Sequence, residues 1–264
     1  MRIDCLMENT TCREGIAAEH GLSLFIRTDA HAILFDMGQT DAFADNALRM
    51  GVPLEKADVA ILSHGHYDHG GGLRRFLALN DRADVYLSRY AFEGHFHGAE
   101  RSIGLDGGLR GHPRLKPVGE ELVLDDQLSL HACNLLPRLE PIDSAGLEML
   151  QDQRLLPEDF RHEQYLLIRE GGRRVLISGC SHKGILDIVN WFRPDALVGG
   201  FHLMGLDPQR PQDAARLEGI AQALRRSGAR FWTGHCTGSA AYAFLRERLG
   251  EQLNYLAAGE SATV

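Results

Sequence analysis

The chain has 264 residues, 44% hydrophobic and 24% charged, too apolar for a disordered polymer and long enough for one large α/β domain or two closely packed halves. Its 28 basic and 36 acidic residues leave a formal charge of −8 with no basic tract, which argues against a nucleic-acid partner. No apolar run approaches the roughly 18 residues of a membrane span, Met1-Arg2-Ile3-Asp4-Cys5 does not read as a secretory signal, and five cysteines without CxxC spacing fit a reducing cytoplasm better than a disulfide framework.

In chain order, Leu22–Arg27 and Ala32–Asp36 read as two strands of a hairpin turning at Thr28-Asp29-Ala30-His31. Residues 41–50 place Phe43, Ala44, Ala47 and Leu48 on one helical face, with Gly51 as the stop. Asp58–Ser63 reads as a buried strand running straight into His64-Gly65-His66-Tyr67-Asp68-His69-Gly70-Gly71-Gly72. A helix at 73–79 and a strand at 85–87 follow. Residues 89–160, with scattered glycine and prolines at 113, 117, 137, 141 and 157, are expected to be mostly long loops and short elements that shape a substrate pocket, with a strand near 128–130. Strands are then expected at 165–168, 175–178, 196–198 and 231–233, and helices at 184–192, 213–227 and 240–249. Alternating strands and helices with hairpins between them predict an α/β chain with mixed sheets.

The chemistry concentrates in His64-x-His66-x-Asp68-His69, four ligand-type side chains in six residues where a buried strand stops. Alternation sends His64, His66 and Asp68 to one side, and a turn brings His69 in from another. Such a group can divide between two ions, His64 and His66 on one, Asp68 and His69 on the other. Imidazole with carboxylate suits zinc, with iron or manganese as alternatives. Three more histidines follow strand ends: His182 after Gly179-Cys180-Ser181, His202 after Gly199-Gly200-Phe201, and His235 within Gly234-His235-Cys236-Thr237-Gly238. Ligands at several strand ends converge on one sheet edge, so His182 and His235 are candidate metal ligands. His202 is expected beside the ions, touching substrate.

The hexapeptide after a buried strand resembles the metal motif of the metallo-β-lactamase fold superfamily, and Leu34-Phe35-Asp36-Met37-Gly38 is similar to its apolar-apolar-Asp-x-Gly strand end. Ala18-Glu19-His20-Gly21-Leu22-Ser23, together with the segments around His182, His202 and His235, resembles one branch, the dihydropterin ribofuranosylaminobenzene-phosphate synthase-like proteins. The resemblance, covering roughly residues 3–240, implies a four-layer αββα sandwich of two mixed sheets flanked by helices, a single domain over 1–264. It implies that Asp36 braces the metal loop without being a ligand. There are two departures. Tyr86-Leu87-Ser88-Arg89 holds no histidine where the superfamily's third ligand usually falls; His182 could supply it, or His95 or His97 could swing in from the loop. Gly179-Cys180 stands where many relatives have a bridging aspartate. Cys180 is expected to pack under the site, with thiolate ligation as the alternative.

The implied function is a metal-dependent hydrolase or group transferase, in which two divalent ions, zinc first, activate a water against a small phosphorylated or ester-type metabolite. Asp68 and His202 are the candidate catalytic residues; Glu19 and His20, like Asn9, border the pocket. A mononuclear-iron dioxygenase and a non-catalytic metal-dependent binding protein are the alternatives. Beyond a small-molecule substrate, the one partner left open is another copy of the chain, as a homo-oligomer.

Overall fold

A computed structural model describes residues 1–98 and 101–264. Two seven-stranded sheets dominate it. In spatial order the first contains Ser261–Thr263, Arg2–Met7, Ser23–Arg27, Ala32–Phe35, Val59–Ile61, Asp84–Ser88 and Leu115–Val118. It is antiparallel as far as Ala32–Phe35 and parallel beyond. The second runs Leu253–Tyr255, Arg230–Thr233, Ala196–Val198, Arg173–Ile177, Tyr165–Glu170, Leu128–His131 and Glu121–Val123. Its first four strands are parallel and the rest antiparallel.

Side-chain alternation sorts three cores. Ile33 and Phe35 join Ile61, Leu166, Val175, Ile177 and Val198 in the core between the sheets. Leu34, one residue out of phase, faces the opposite way and packs with Phe43, Ala47, Leu73 and Phe76 of the helices Ala42–Met50 and Leu73–Leu79. Leu176 and Leu197 pack outward against Ile188, Leu217, Leu224 and Leu245, carried by the helices Ile185–Phe192, Pro211–Ser227 and Ser239–Leu249. The layers are therefore helix, sheet, sheet, helix, as the sequence resemblance implied. No helix among the described residues is long and apolar enough to cross a membrane.

The structure adds strands that the sequence reading did not place, among them Leu253–Tyr255 and Ser261–Thr263 after the last expected helix. Residues 2–7 form a strand that sequence reading passed over, because Asp4 interrupts its apolar pattern. Asp4 is buried nonetheless, its carboxylate shared among Arg2, Arg27 and Ser261. The short elements expected within 89–160 include strands that the sequence reading did not place. The stretch holds the strands Gly94–His97, Leu115–Val118, Glu121–Val123, Leu128–His131, Leu147–Gln151 and Arg154–Pro157. Three of them form a separate small sheet in the order Arg154–Pro157, Leu147–Gln151, Gly94–His97. Pro117 is tolerated because its strand is the edge of the first sheet, where a missing N–H breaks no ladder.

Candidate metal centre

Four parallel strands deliver the site. Val59–Ile61 leads into Ser63 and His64, followed by the one-turn helix Tyr67–Gly70 that bears Asp68 and His69. Arg173–Ile177, Ala196–Val198 and Arg230–Thr233 lead into the loops of His182, His202 and His235. Backbone at φ > 0 is rare outside glycine, yet Asp36 (58°), Ser181 (59°), His202 (52°) and His235 (48°) all adopt it. Such conformations gather where the surroundings over-determine them. A side chain at Gly179 would collide with Ser63 Oγ, so the loop of Cys180 passes directly behind His64.

Asp36 ties together the loop that carries Ser63 and His69. Its carboxylate accepts from Ser63 N (2.7 Å), Ser63 Oγ (2.7 Å) and His69 Nδ1 (2.7 Å). With its proton committed to Asp36, Ser63 Oγ accepts from His64 Nδ1 at 2.8 Å. Gly21 N donates to Asn9 Oδ1, which fixes the orientation of that amide, and the same oxygen accepts from His235 Nδ1 at 2.8 Å. The hydrogen-bond network thereby assigns the proton of His64, His69 and His235 to Nδ1 and leaves each Nε2 as a bare lone pair.

Those lone pairs face one another. His69 Nε2 lies 3.1 Å from His235 Nε2, and His64 Nε2 lies 3.3 Å from His182 Nε2. Cys180 Sγ is 3.2 Å from His69 Nε2, and Asp68 Oδ2 is 3.4 Å from His235 Nε2 and 3.6 Å from His69 Nε2. Converging acceptors repel unless a cation sits among them. A tetrahedral ion with bonds of about 2.0–2.1 Å sets its ligands about 3.3 Å apart, so the donor set fits a metal. His64, His66 and His182 form one group able to hold an ion; His64, His69 and Cys180, and Cys180, His235 and Cys236, form others.

Burial, then the neighbouring rings, pushes His64 and His182 well down, and burial takes His66 to about 3, so these rings are neutral and ready to ligate. At His69 burial opposes charge, but Asp36 and Asp68 outweigh it and lift the ring to about 9, so that without an ion Nε2 takes up a second proton at neutral pH, which a metal binding there would displace. At Asp68 burial is likewise outweighed, by His69, His20 and His235, which hold the carboxyl well below its usual range. Burial and the neighbouring Cys236 push the Cys180 thiol well up in the absence of a compensating cation.

A cavity of about 1460 Å³ opens over this cluster, lined by His20, His66, Asp68, His182, His202 and His235 among others. His20 Nε2 lies 3.3 Å from Asp68 Oδ2, and that hydrogen bond raises its pKa. His202 stands beside the cluster, its ring centroid 4.2 Å from that of His182. Glu19, expected at the pocket border, commits its carboxylate to Gln39 N, Thr40 N and Thr40 Oγ1, pinning the turn after Asp36; its neighbour His20 is the one that reaches the cavity. Asn9 orients His235 from behind. Of the alternatives for the missing third histidine, His182 joins His64 and His66, His97 lines the cavity, and His95 lies buried beside Glu158.

Sequence reading missed the carboxylates that hold the second-sheet loops. Glu163 accepts from His182 N (2.8 Å) and Lys183 N (3.0 Å). Glu8 accepts from His235 N and Tyr255 Oη. Glu8 stands directly after a buried strand, a placement that could have flagged it.

Comparison with known proteins gives the family and the fold. A family model described as the metallo-beta-lactamase superfamily matches residues 17–205. The chain is 28% identical over 274 residues to the 7,8-dihydropterin-6-methyl-4-(β-D-ribofuranosyl)-aminobenzene-5′-phosphate synthase of Methanocaldococcus jannaschii, covering 92% of this chain and 89% of that one. It is 27% identical over 252 residues to an uncharacterised protein of the same organism, covering 89% and 90%. Among solved structures, one described as a metal-dependent hydrolase of the β-lactamase superfamily superposes with a TM-score of 0.80 at 28% identity, covering 100% of this chain and 99% of the other. The metallo-β-lactamase fold protein YhfI of Bacillus subtilis shares the fold at a TM-score of 0.59 and 14% identity, with 99% of each chain covered.

Proposed function

Since the chain belongs to the metallo-β-lactamase superfamily, we propose that it is a dinuclear metal-dependent hydrolase or group transferase acting on a small anionic metabolite. The observation that carries this reading is the convergence of imidazole lone pairs, each fixed by a hydrogen bond on the far side of its ring. His64, His66 and His182 would hold one ion, and Asp68, His69 and His235 the other, with zinc the metal that best suits the set. Cys180 Sγ, at 3.2 Å from His69 Nε2, faces the ligands closely enough to serve as a thiolate ligand, which favours ligation over simple packing. When bound, such ions polarise a substrate oxygen and bring the pKa of a water from 15.7 to about 7.

The remaining work falls to the chain's own side chains. Asp36, Asn9 and Glu163 hold the ligand loops still. His20 keeps Asp68 Oδ2 oriented through its hydrogen bond. His202 stands at the cavity wall next to His182, positioned to touch substrate and exchange a proton with it. Arg101, Arg216 and Arg226 line the same cavity and provide positive charge for a phosphate or carboxylate. The relative that is named a synthase of a 5′-phosphate keeps group transfer open beside hydrolysis. The core shared by the two sheets supports reading 1–264 as one domain, and five unpaired cysteines support a reducing, cytoplasmic setting.

The test is metal content by elemental analysis, followed by a panel of phosphoesters, lactones and thioesters with and without added zinc, manganese or iron. A metal-dependent rate on one ester class and two ions per chain is the expected result. Two bound ions without turnover on any class would favour a binding protein, and a single iron would favour the dioxygenase.

A further inference from the structure

Behind His66, on the side away from the cavity, lies a second group of buried side chains: His95, Glu158 and His162, of which Glu158 is 2% exposed and the two histidines are fully buried. Their ligand-type atoms and one of His66 lie within 4.8 Å of one another. The Nε2 atoms of His66, His95 and His162 are all sealed from solvent with no partner. Three imidazoles and a carboxylate have the composition of a third metal site. They are also the composition of a hydrogen-bonded support for His66. The positions of the protons decide between these.

Gly65 N donates to His162 Nδ1 at 2.8 Å, so His162 carries its proton on Nε2 and offers a metal nothing there. That Nε2–H lies 3.6 Å from Glu158 Oε1. His95 Nδ1 donates to Glu158 Oε2 at 2.7 Å, which leaves its Nε2 as an acceptor. Of the two nitrogens of His66 only Nε2 is sealed without a partner, so Nδ1 is the one free to take an ion with His64 and His182, and the proton then sits on Nε2. Each donor of the group thus has an acceptor across from it, His95 Nε2 for His66 Nε2–H and Glu158 for His162 Nε2–H, each at more than hydrogen-bond distance in this structure. In the metal centre acceptor faces acceptor; here they alternate, and no cation is called for.

We propose that His95, Glu158 and His162 are positioning residues that hold His66 at the angle its ion requires, with the carboxylate of Glu158 acting through His95. The His95 and His162 rings, with centroids 3.9 Å apart, form a slab on which His66 rests at 5.0 Å from His162 and 5.6 Å from His95. The separation left between His66 and His95 is one that ring rotation or a single bridging water closes. A histidine ligand normally gives its distal N–H to a carboxylate or carbonyl, and loss of that partner costs about 10–100-fold in metal affinity. Here an imidazole is interposed between ligand and carboxylate, and the small sheet bearing His95 thereby becomes part of the metal centre.

This inference rests on His66 being a ligand, as proposed above, and one titration tests both. Zinc binding to the full chain is followed by competition with a chromophoric chelator for wild type, Glu158→Gln, His95→Gln and Glu158→Asp. The cobalt(II) absorption spectrum and the unfolding midpoint with excess chelator are recorded for each. The expected result is two ions in every variant, one of them bound about 10–100-fold more weakly in Glu158→Gln and His95→Gln. The cobalt spectrum should change, and Glu158→Asp should recover part of the loss. A merely structural role would lower the unfolding midpoint and leave affinity and spectrum as they were; that outcome overturns the proposal. So does a third ion in wild type that disappears in Glu158→Gln. A wild-type chain that binds no ion overturns the metal centre itself, whereas normal wild-type binding with unchanged variants overturns only the support for His66.

Discussion

Single residues show where the site was legible. His64, His66, Asp68 and His69 are adjacent in sequence, and their spacing is itself the chemical statement, so reading them needs no knowledge of the fold. Asp36 was legible only through the resemblance of Leu34-Phe35-Asp36-Met37-Gly38 to a superfamily strand end. The three acceptor contacts of Asp36, to Ser63 N, Ser63 Oγ and His69 Nδ1, predict the effect of removing it. Asp36→Ala leaves buried donors without partners, at about 1–3 kcal/mol each, and frees His69 to turn. The expected outcome is a lower unfolding free energy together with loss of the ion that His69 ligates, measured by denaturant titration and metal analysis. Full metal retention in that variant would count against the bracing role. His64→Ala and Asp68→Ala should instead keep the fold and lose metal, because each removes a ligand and leaves the brace in place.

The elements explain why the second half of the site could be anticipated and its support could not. A parallel strand's C-terminal end is a recurrent place for functional loops, and three such ends carried His182, His202 and His235. The supports lie elsewhere: Gly65 meets His162 across 97 positions, and His95 meets Glu158 across 63. No local pattern announces such pairs: the short strands within 89–160 alternate weakly, and His162 lies just beyond them without a motif of its own. Contact between loops also makes a prediction. An alanine at Gly179 would press its Cβ on Ser63 Oγ and stand 3.2 Å from His64 Nδ1, the hydrogen bond that aims His64. Gly179→Ala is expected to cost about 1–3 kcal/mol of stability and to weaken the ion shared by His64, His66 and His182 at least tenfold. Chelator competition measures the second effect, and unchanged affinity would show that the Ser63–His64 contact does not aim the ring.

At the scale of the whole molecule, each proposed ion draws ligands from both sheets. His64 and His66 come from the loop after a first-sheet strand and His182 from the second; Asp68 and His69 come from the first and His235 from the second. The two halves already share an apolar core, so the proposed ions are not needed to hold them together, but they would cross-link the sheets where the core gives way to polar loops. An ion that binds only the folded chain stabilises it by about 4 kcal/mol at a thousandfold excess over its dissociation constant. Removing metal with a strong chelator should therefore lower the thermal midpoint of wild type. His182→Ala and His235→Ala should each respond about half as much, because each retains one cross-link. The measurement is calorimetry of the three proteins with and without chelator, beside their metal content. Equal midpoints with and without chelator in a wild type carrying two ions would mean that the ions bind the unfolded chain as tightly as the folded one, and a centre assembled only by the fold would have to be abandoned.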